Sequence, residues 1–134
     1  MKITREKPPR KIVVIEDNLM NMELTVDILE VAGYKVFTAT NAEDGIRLVK
    51  TEMPGLVLMD ISLSGMDGLS ATSALKKDPA TRHIPVMAVT AHAMRGDEER
   101  ILHAGCCACV TKPIDVQEFR SKVSQFLNCE PSNE

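Results

Sequence analysis

Five short apolar runs punctuate this chain, each followed by a stretch in which apolar residues recur every three or four positions. Lys11 to Ile15 reads Lys-Ile-Val-Val-Ile, a β-branched run expected of a strand covered on both faces. Asn18 can cap the next segment, where Met22, Val26 and Leu29 fall at i, i+4 and i+7 and predict a helix ending at Gly33. Tyr34 to Ala39 is a second strand, and Ala42, Ile46 and Val49 mark a second helix stopped by Pro54. Leu56 to Met59 is a third, buried strand, with a turn at Gly65 to Gly68. Ala71, Ala74 and Leu75 predict a third helix ended by Asp78-Pro79, and Ile84 to Val89 a fourth strand. Asp97 to Ala104 is a charged, weakly apolar helix ending at Gly105, and Cys107 to Thr111 is the fifth strand. Val116, Phe119, Val123 and Phe126 give an amphipathic closing helix.

Strands that alternate with helices imply a parallel sheet, right-handed crossovers and helices on both faces. The natural closure at this size is a flavodoxin-like (βα)5 three-layer α/β sandwich with strand order 2-1-3-4-5. At 134 residues there is room for one domain and one core. Residues 11–128 read as that domain. Met1 to Arg10, basic and containing Pro8-Pro9, reads as a disordered leader, and residues 129–134 as a short tail. The methionines and phenylalanines on the apolar faces are expected in the core.

A net charge of −3 and 3% aromatic content argue against nucleic acid as a partner. The apolar runs are strand-length, so no membrane insertion is expected, and the start lacks the apolar region of a secretory signal. Cys106 and Cys109 form a C-x-x-C, but no second pair or nearby histidines complete a tetrahedral metal site. Cys106, Cys107, Cys109 and Cys129 are therefore expected to be buried, inert thiols in a reducing cytoplasm. His83 and His103 are expected at the surface.

Chemistry is concentrated where strands end. Glu16-Asp17 follows the first strand, Asp60 the third, Thr90 the fourth and Lys112-Pro113 the fifth. Open parallel sheets bind ligands at that edge. Taken singly, each residue has an ordinary explanation: acids near a helix N-terminus, a turn former, β-propensity, a surface lysine. Together they place carboxylates, a hydroxyl and an ammonium in one crevice. If the first and third strands are neighbours, three carboxylates converge. Two unit charges about 4 Å apart repel by about 4 kcal/mol at an effective dielectric of ~20. Such crowding is relieved by a raised pKa or a bound cation, and an all-oxygen set suits Mg²⁺. A carboxylate beside such an ion can act as nucleophile toward a phosphoryl group. Phosphoryl transfer otherwise needs positioning and charge neutralisation, which Lys112, the Thr90 hydroxyl and the following backbone N–H can supply. A cis Lys112–Pro113 bond would fold Lys112 over the site.

At these residues the chain resembles the receiver domain of two-component response regulators. The matching segments are Ile15-Glu16-Asp17-Asn18, Leu58-Met59-Asp60, Met66-Asp67-Gly68, Val89-Thr90-Ala91 and Thr111-Lys112-Pro113-Ile114. The resemblance covers residues 11 to 127. It implies that Asp60 accepts a phosphoryl group from a phosphohistidine on a sensor histidine kinase or phosphotransfer protein. It further implies that Asp17, Asp60 and the Ser62 backbone carbonyl hold Mg²⁺, for which Mn²⁺ could substitute, with Glu16 acting through water. Thr90, the Ala91 N–H and Lys112 would grip the phosphoryl oxygens, and Ser62 and His92 would tune how long the group lasts. The implied output is protein binding through the face of the fourth helix, fifth strand and fifth helix, without a DNA-binding output domain. Such a switch turns over no external substrate but catalyses its own phosphorylation and dephosphorylation. The stretch from Ala91 to Gly105 is similar both to stand-alone DivK-type cell-division regulators and to receivers of hybrid histidine kinases.

Two positions depart from the family pattern. Cys109 stands where many members carry an aromatic that swings inward on activation, and Ser64 stands where proline is usual. Three other readings compete. A haloacid-dehalogenase-type phosphatase would need D-x-D where Glu16-Asp17-Asn18 stands, and a flavodoxin a hydroxyl- and glycine-rich loop in the same place. The third is a receiver that acts only as an unphosphorylated adaptor.

Overall fold

A computed structural model of the chain describes residues 10–61, 67–90 and 95–128. Its elements alternate throughout: β1 (Lys11–Ile15), α1 (Leu19–Val31), β2 (Lys35–Ala39), α2 (Ala42–Glu52), β3 (Leu56–Asp60), α3 (Gly68–Lys77), β4 (Val86–Thr90), α4 (Arg95–Ala104), β5 (Ala108–Thr111) and α5 (Val116–Asn128). All four strand pairings are parallel, and the sheet order is β2-β1-β3-β4-β5, as the alternating pattern implies.

Successive strand residues point to opposite faces and so feed two cores. Val13, Ile15, Val57, Met59 and Ala88 pack with Val49, Ala71, Leu75 and Ile101 of α2, α3 and α4. Ile12, Val14, Leu56, Leu58 and Met87 pack with Met22, Leu29, Phe119 and Val123 of α1 and α5. Both faces are covered, which explains why β3 and β4 are buried at every position.

Caps set the helix starts. Asn18, Asn41 and Asp67 each accept a backbone N–H three residues on, from Asn21, Asp44 and Ser70. At the other pole, Gly33 takes φ 98° just beyond α1, a conformation in which a side chain is strained. The two ends of the domain also meet: the Arg10 guanidinium donates to the Leu127 carbonyl, and Leu127 lies against Gly55, just before β3.

Several expectations are corrected. The apolar stripe of α3 includes Ala74, yet Ala74 is exposed and Thr72 is buried instead, its hydroxyl donating to the Gly68 carbonyl at 2.8 Å. In α5, Val116 is exposed and Phe126 half-buried, while Leu127 joins the core. Met20 and Met53, which lie off those apolar stripes, are exposed at 79% and 45%, and Phe37 is half-buried. Gly68 opens α3 rather than closing a turn; residues 62–66 lie outside the described ones. Boundaries also move: β2 starts at Lys35, β4 runs Val86–Thr90, β5 starts at Ala108 and α4 starts at Arg95.

Cys106 is buried, whereas Cys107 and Cys109 are half-buried; Cys129 lies outside the described residues. Burial pushes the Cys106 thiol up to about 11 and that of Cys107 upward as well, which disfavours the reactive thiolate. His83 and His103 are exposed.

Candidate phosphoryl-accepting site

The order of the strands brings the separated acids together. Ile15 of β1 pairs with Met59 of β3, so Glu16 and Asp60 emerge side by side where those strands end. Glu16 stays in the ladder, donating its N–H to the Ala39 carbonyl at 3.0 Å. Its carboxylate is buried and accepts the Asn18 N–H at 3.1 Å. Asp17 faces outward. One oxygen each from Glu16, Asp17 and Asp60 lies within 4.8 Å of the others, a grouping that could hold a metal ion.

The other side of the crevice comes from β4 and β5. Asp60 is opposite Val89, so buried Thr90 sits one residue past it, and Thr90 in turn is opposite Thr111. The Lys112 N–H donates to the Thr90 carbonyl at 2.8 Å, which ties the end of β5 to that of β4. The Lys112–Pro113 bond is cis. The Lys112 ammonium lies 3.2 Å from Glu16 Oε1 and 3.4 Å from Asp60 Oδ2, bridging two nearly water-free carboxylates. Cys109 is half-buried in β5 opposite Ala88, and its carbonyl accepts from Lys122 at 2.9 Å. Ser62, Ser64, Ala91 and His92 lie outside the described residues.

Two features go beyond the sequence reading, which expected crowded carboxylates to raise a pKa or bind a cation without saying which acid would respond. The first is Glu16. Burial, then the neighbouring Asp60, drives its carboxyl from the ordinary 4.5 up to about 7, against the opposing pull of the Asn18 N–H and Lys112. The second is Gly68, whose α-carbon is packed against the backbone of Asp60. A Cβ there would lie 2.3 Å from the Asp60 carbonyl oxygen. The Asp67-Gly68 pair hints at a turn, but nothing local announces that contact.

Among the described residues the donor set fits a hard divalent cation: three carboxylates grouped without nitrogen or sulfur ligands, with the Lys112 ammonium beside two of them. The shift at Glu16 has a consequence for stability. Because the folded protein holds this proton more tightly than the unfolded chain, its stabilising effect is complete below pH 4.5 and is lost as pH rises through about 7. In the presence of a chelator, urea unfolding should therefore show stability falling across that window by roughly 2–3 kcal/mol. Millimolar Mg²⁺ should flatten the slope.

A family model described as the response regulator receiver domain matches residues 12–124. The polar-differentiation response regulator DivK of Brucella anthropi is 44% identical over 119 residues, covering 89% of this chain and 97% of that protein. The receiver domain of sensor histidine kinase PA1611 from Pseudomonas aeruginosa was solved with a magnesium ion coordinated in its active site cleft. It matches with TM-score 0.84 and 28% identity over 90% of this chain and 99% of that one. The signal receiver domain of a signal transduction histidine kinase from Syntrophus aciditrophicus gives TM-score 0.84 and 29% identity over 93% and 95%. With acids, hydroxyl and ammonium gathered at the strand ends of a five-stranded parallel sheet, the chain belongs to the response regulator receiver domain family of two-component signalling.

Proposed function

We propose that residues 11–128 act as a phosphoryl-accepting switch and that Asp60 is the acceptor. The observation that carries this reading is the meeting of Asp60 with Glu16 and Asp17 on one side and the Lys112 ammonium, 3.4 Å away, on the other. A carboxylate oxygen of Asp60 attacks the phosphorus of a phosphohistidine on a sensor kinase or phosphotransfer protein. The P–N bond breaks, and the imidazole leaves with its electron pair. Lys112 stays close to the developing charge, while the Thr90 hydroxyl and the Ala91 N–H bind the transferred oxygens. Asp17, Asp60 and the Ser62 carbonyl would hold Mg²⁺, or Mn²⁺ in its place, with Glu16 acting through a water. Bound there, the ion supplies positive charge against the carboxylates and the phosphoryl oxygens. Ser62 and His92 set the lifetime of the acyl phosphate, so the domain catalyses both its own phosphorylation and its own dephosphorylation.

The output is a shifted equilibrium at the α4–β5–α5 face, where a downstream protein binds. The weak docking of α4 supports this: among its described side chains Ile101 is buried and Leu102 is 54% exposed. With Cys109 in place of an aromatic, Thr90 moves that face through the backbone bond it shares with Lys112. A cytoplasmic setting agrees with the free thiols of Cys106, Cys107 and Cys109.

The test is incubation with a small phosphodonor such as acetyl phosphate. With Mg²⁺ present, intact-mass measurement should register the gain of one phosphoryl group, labile in base as an acyl phosphate is. Chelator should prevent the gain. No adduct under any condition would leave the unphosphorylated adaptor as the better reading.

A further inference from the structure

Thr72 is fully buried one turn into α3. A buried hydroxyl has to find its partners inside the protein, and this one has two. It donates to the Gly68 carbonyl at 2.8 Å, four residues back on the same helix. It also accepts from the Cys106 thiol at 3.8 Å. Cys106 is itself held in place just beyond α4, buried and with its N–H on the Ile101 carbonyl at 3.2 Å.

The residue that Thr72 grips is the one by which α3 touches the acceptor strand. Gly68 meets the end of β3 in two ways. Its α-carbon is packed on the Asp60 carbonyl, and its N–H points to the Ile61 carbonyl at 3.4 Å, a long and therefore weak bond. The Asp67 cap bonds to the Ser70 N–H, so it fixes where α3 starts but makes no tie to β3. The short bond on Gly68 is the one from Thr72. With it, the Gly68 carbonyl takes both the helical N–H of residue 72 and its hydroxyl, and back-bonding of this kind often bends a helix.

We propose, on the reading that Asp60 is the phosphoryl acceptor, that Thr72 is a positioning residue for it. The Thr72 hydroxyl sets the tilt of the first turn of α3, and that tilt sets how Gly68 bears on the Asp60 carbonyl. The backbone of Asp60 is thereby held where its carboxylate meets Lys112 and the other acids. Thr72 acts only through Gly68. The Cys106 thiol occupies a lone pair of the hydroxyl and leaves its proton for the Gly68 carbonyl.

Two substitutions separate this role from ordinary core packing. Thr72→Val keeps the shape and loses the hydroxyl; Gly68 retains its helical N–H, and the thiol left behind is only a weak donor. Thr72→Ser keeps the hydroxyl and loses a buried methyl. If Thr72 only filled space, labelling would follow stability. Instead the two should cross. Thr72→Val should label with acetyl phosphate and Mg²⁺ about fivefold more slowly than the parent, yet unfold at a higher urea concentration than Thr72→Ser. Thr72→Ser should label at the parent's rate despite its lower urea midpoint. In ¹⁵N spectra of the full chain, recorded without Mg²⁺ or phosphodonor, the Asp60, Ile61 and Gly68 amides should shift in Thr72→Val and stay in place in Thr72→Ser. Parent-like labelling of Thr72→Val, or a Thr72→Ser slowed as much as Thr72→Val, would overturn the proposal. So would Asp60 and Ile61 amides that do not move in Thr72→Val. A parent that takes up no phosphoryl group would overturn the acceptor reading instead, and the amide shifts would still decide whether Thr72 holds Asp60.

Discussion

Replacing Asp60 with asparagine should abolish phosphoryl uptake while leaving a fold at least as stable as the parent's. The two halves of this result have different causes. An amide nitrogen is not a nucleophile toward phosphorus, so no adduct should form at any phosphodonor concentration. Stability moves the other way because Asp60 crowds its neighbour. After burial itself, Asp60 is the main cause of the raised carboxyl of Glu16, acting through a shared hydrogen bond and through charge. An asparagine removes the repulsion, and Lys112 keeps Glu16 at 3.2 Å as a partner. The expected gain near neutral pH is about 1–2 kcal/mol, read from urea unfolding with chelator present. Labelling that persists in this variant would place the acceptor elsewhere. A marked loss of stability would mean that Asp60 is mainly a structural partner of Lys112.

Gly68→Ala should be the most damaging small substitution near the site. In an ordinary helix this exchange gains about 1 kcal/mol, because alanine is the better helix former. Here the added carbon meets the Asp60 carbonyl oxygen at 2.3 Å, the Ile61 Cα at 2.9 Å and the Asp60 carbonyl carbon at 3.0 Å. All three are backbone atoms, so no rotamer change relieves the collision; either α3 or the end of β3 must move. Overpacking of this kind costs about 1–3 kcal/mol, which outweighs the propensity gain. The displaced atoms carry the proposed acceptor, so labelling by acetyl phosphate should also slow by about tenfold or more. A variant that labels at the parent's rate and unfolds at the same urea concentration would refute the close approach.

Much of this architecture is legible without coordinates because it follows from local rules. A β-branched run such as Ile12 to Ile15 must be covered on both faces, and five such runs separated by helical spacing leave few closures besides the observed one. The acids and the lysine were legible for a related reason: each directly follows an apolar run, so the topology alone brings them to one edge. What escaped depends on distances between elements far apart in sequence. The proton held by Glu16 reflects burial against Asp60, and the need for glycine at 68 reflects contact with another strand. Thr72 and Ala74 exchange their expected places for the same kind of reason. A threonine can be buried once its hydroxyl bonds to Gly68, whereas Ala74, although apolar, ends on the exposed side of α3.

The clasp between Arg10 and Leu127 has a further consequence. α5 runs back from the lysine-bearing end of β5, so the first and last described residues leave together at the pole opposite the acids. A module joined directly at Arg10 or Asn128 would start from that far pole. The mouth of the crevice would stay open to an incoming donor.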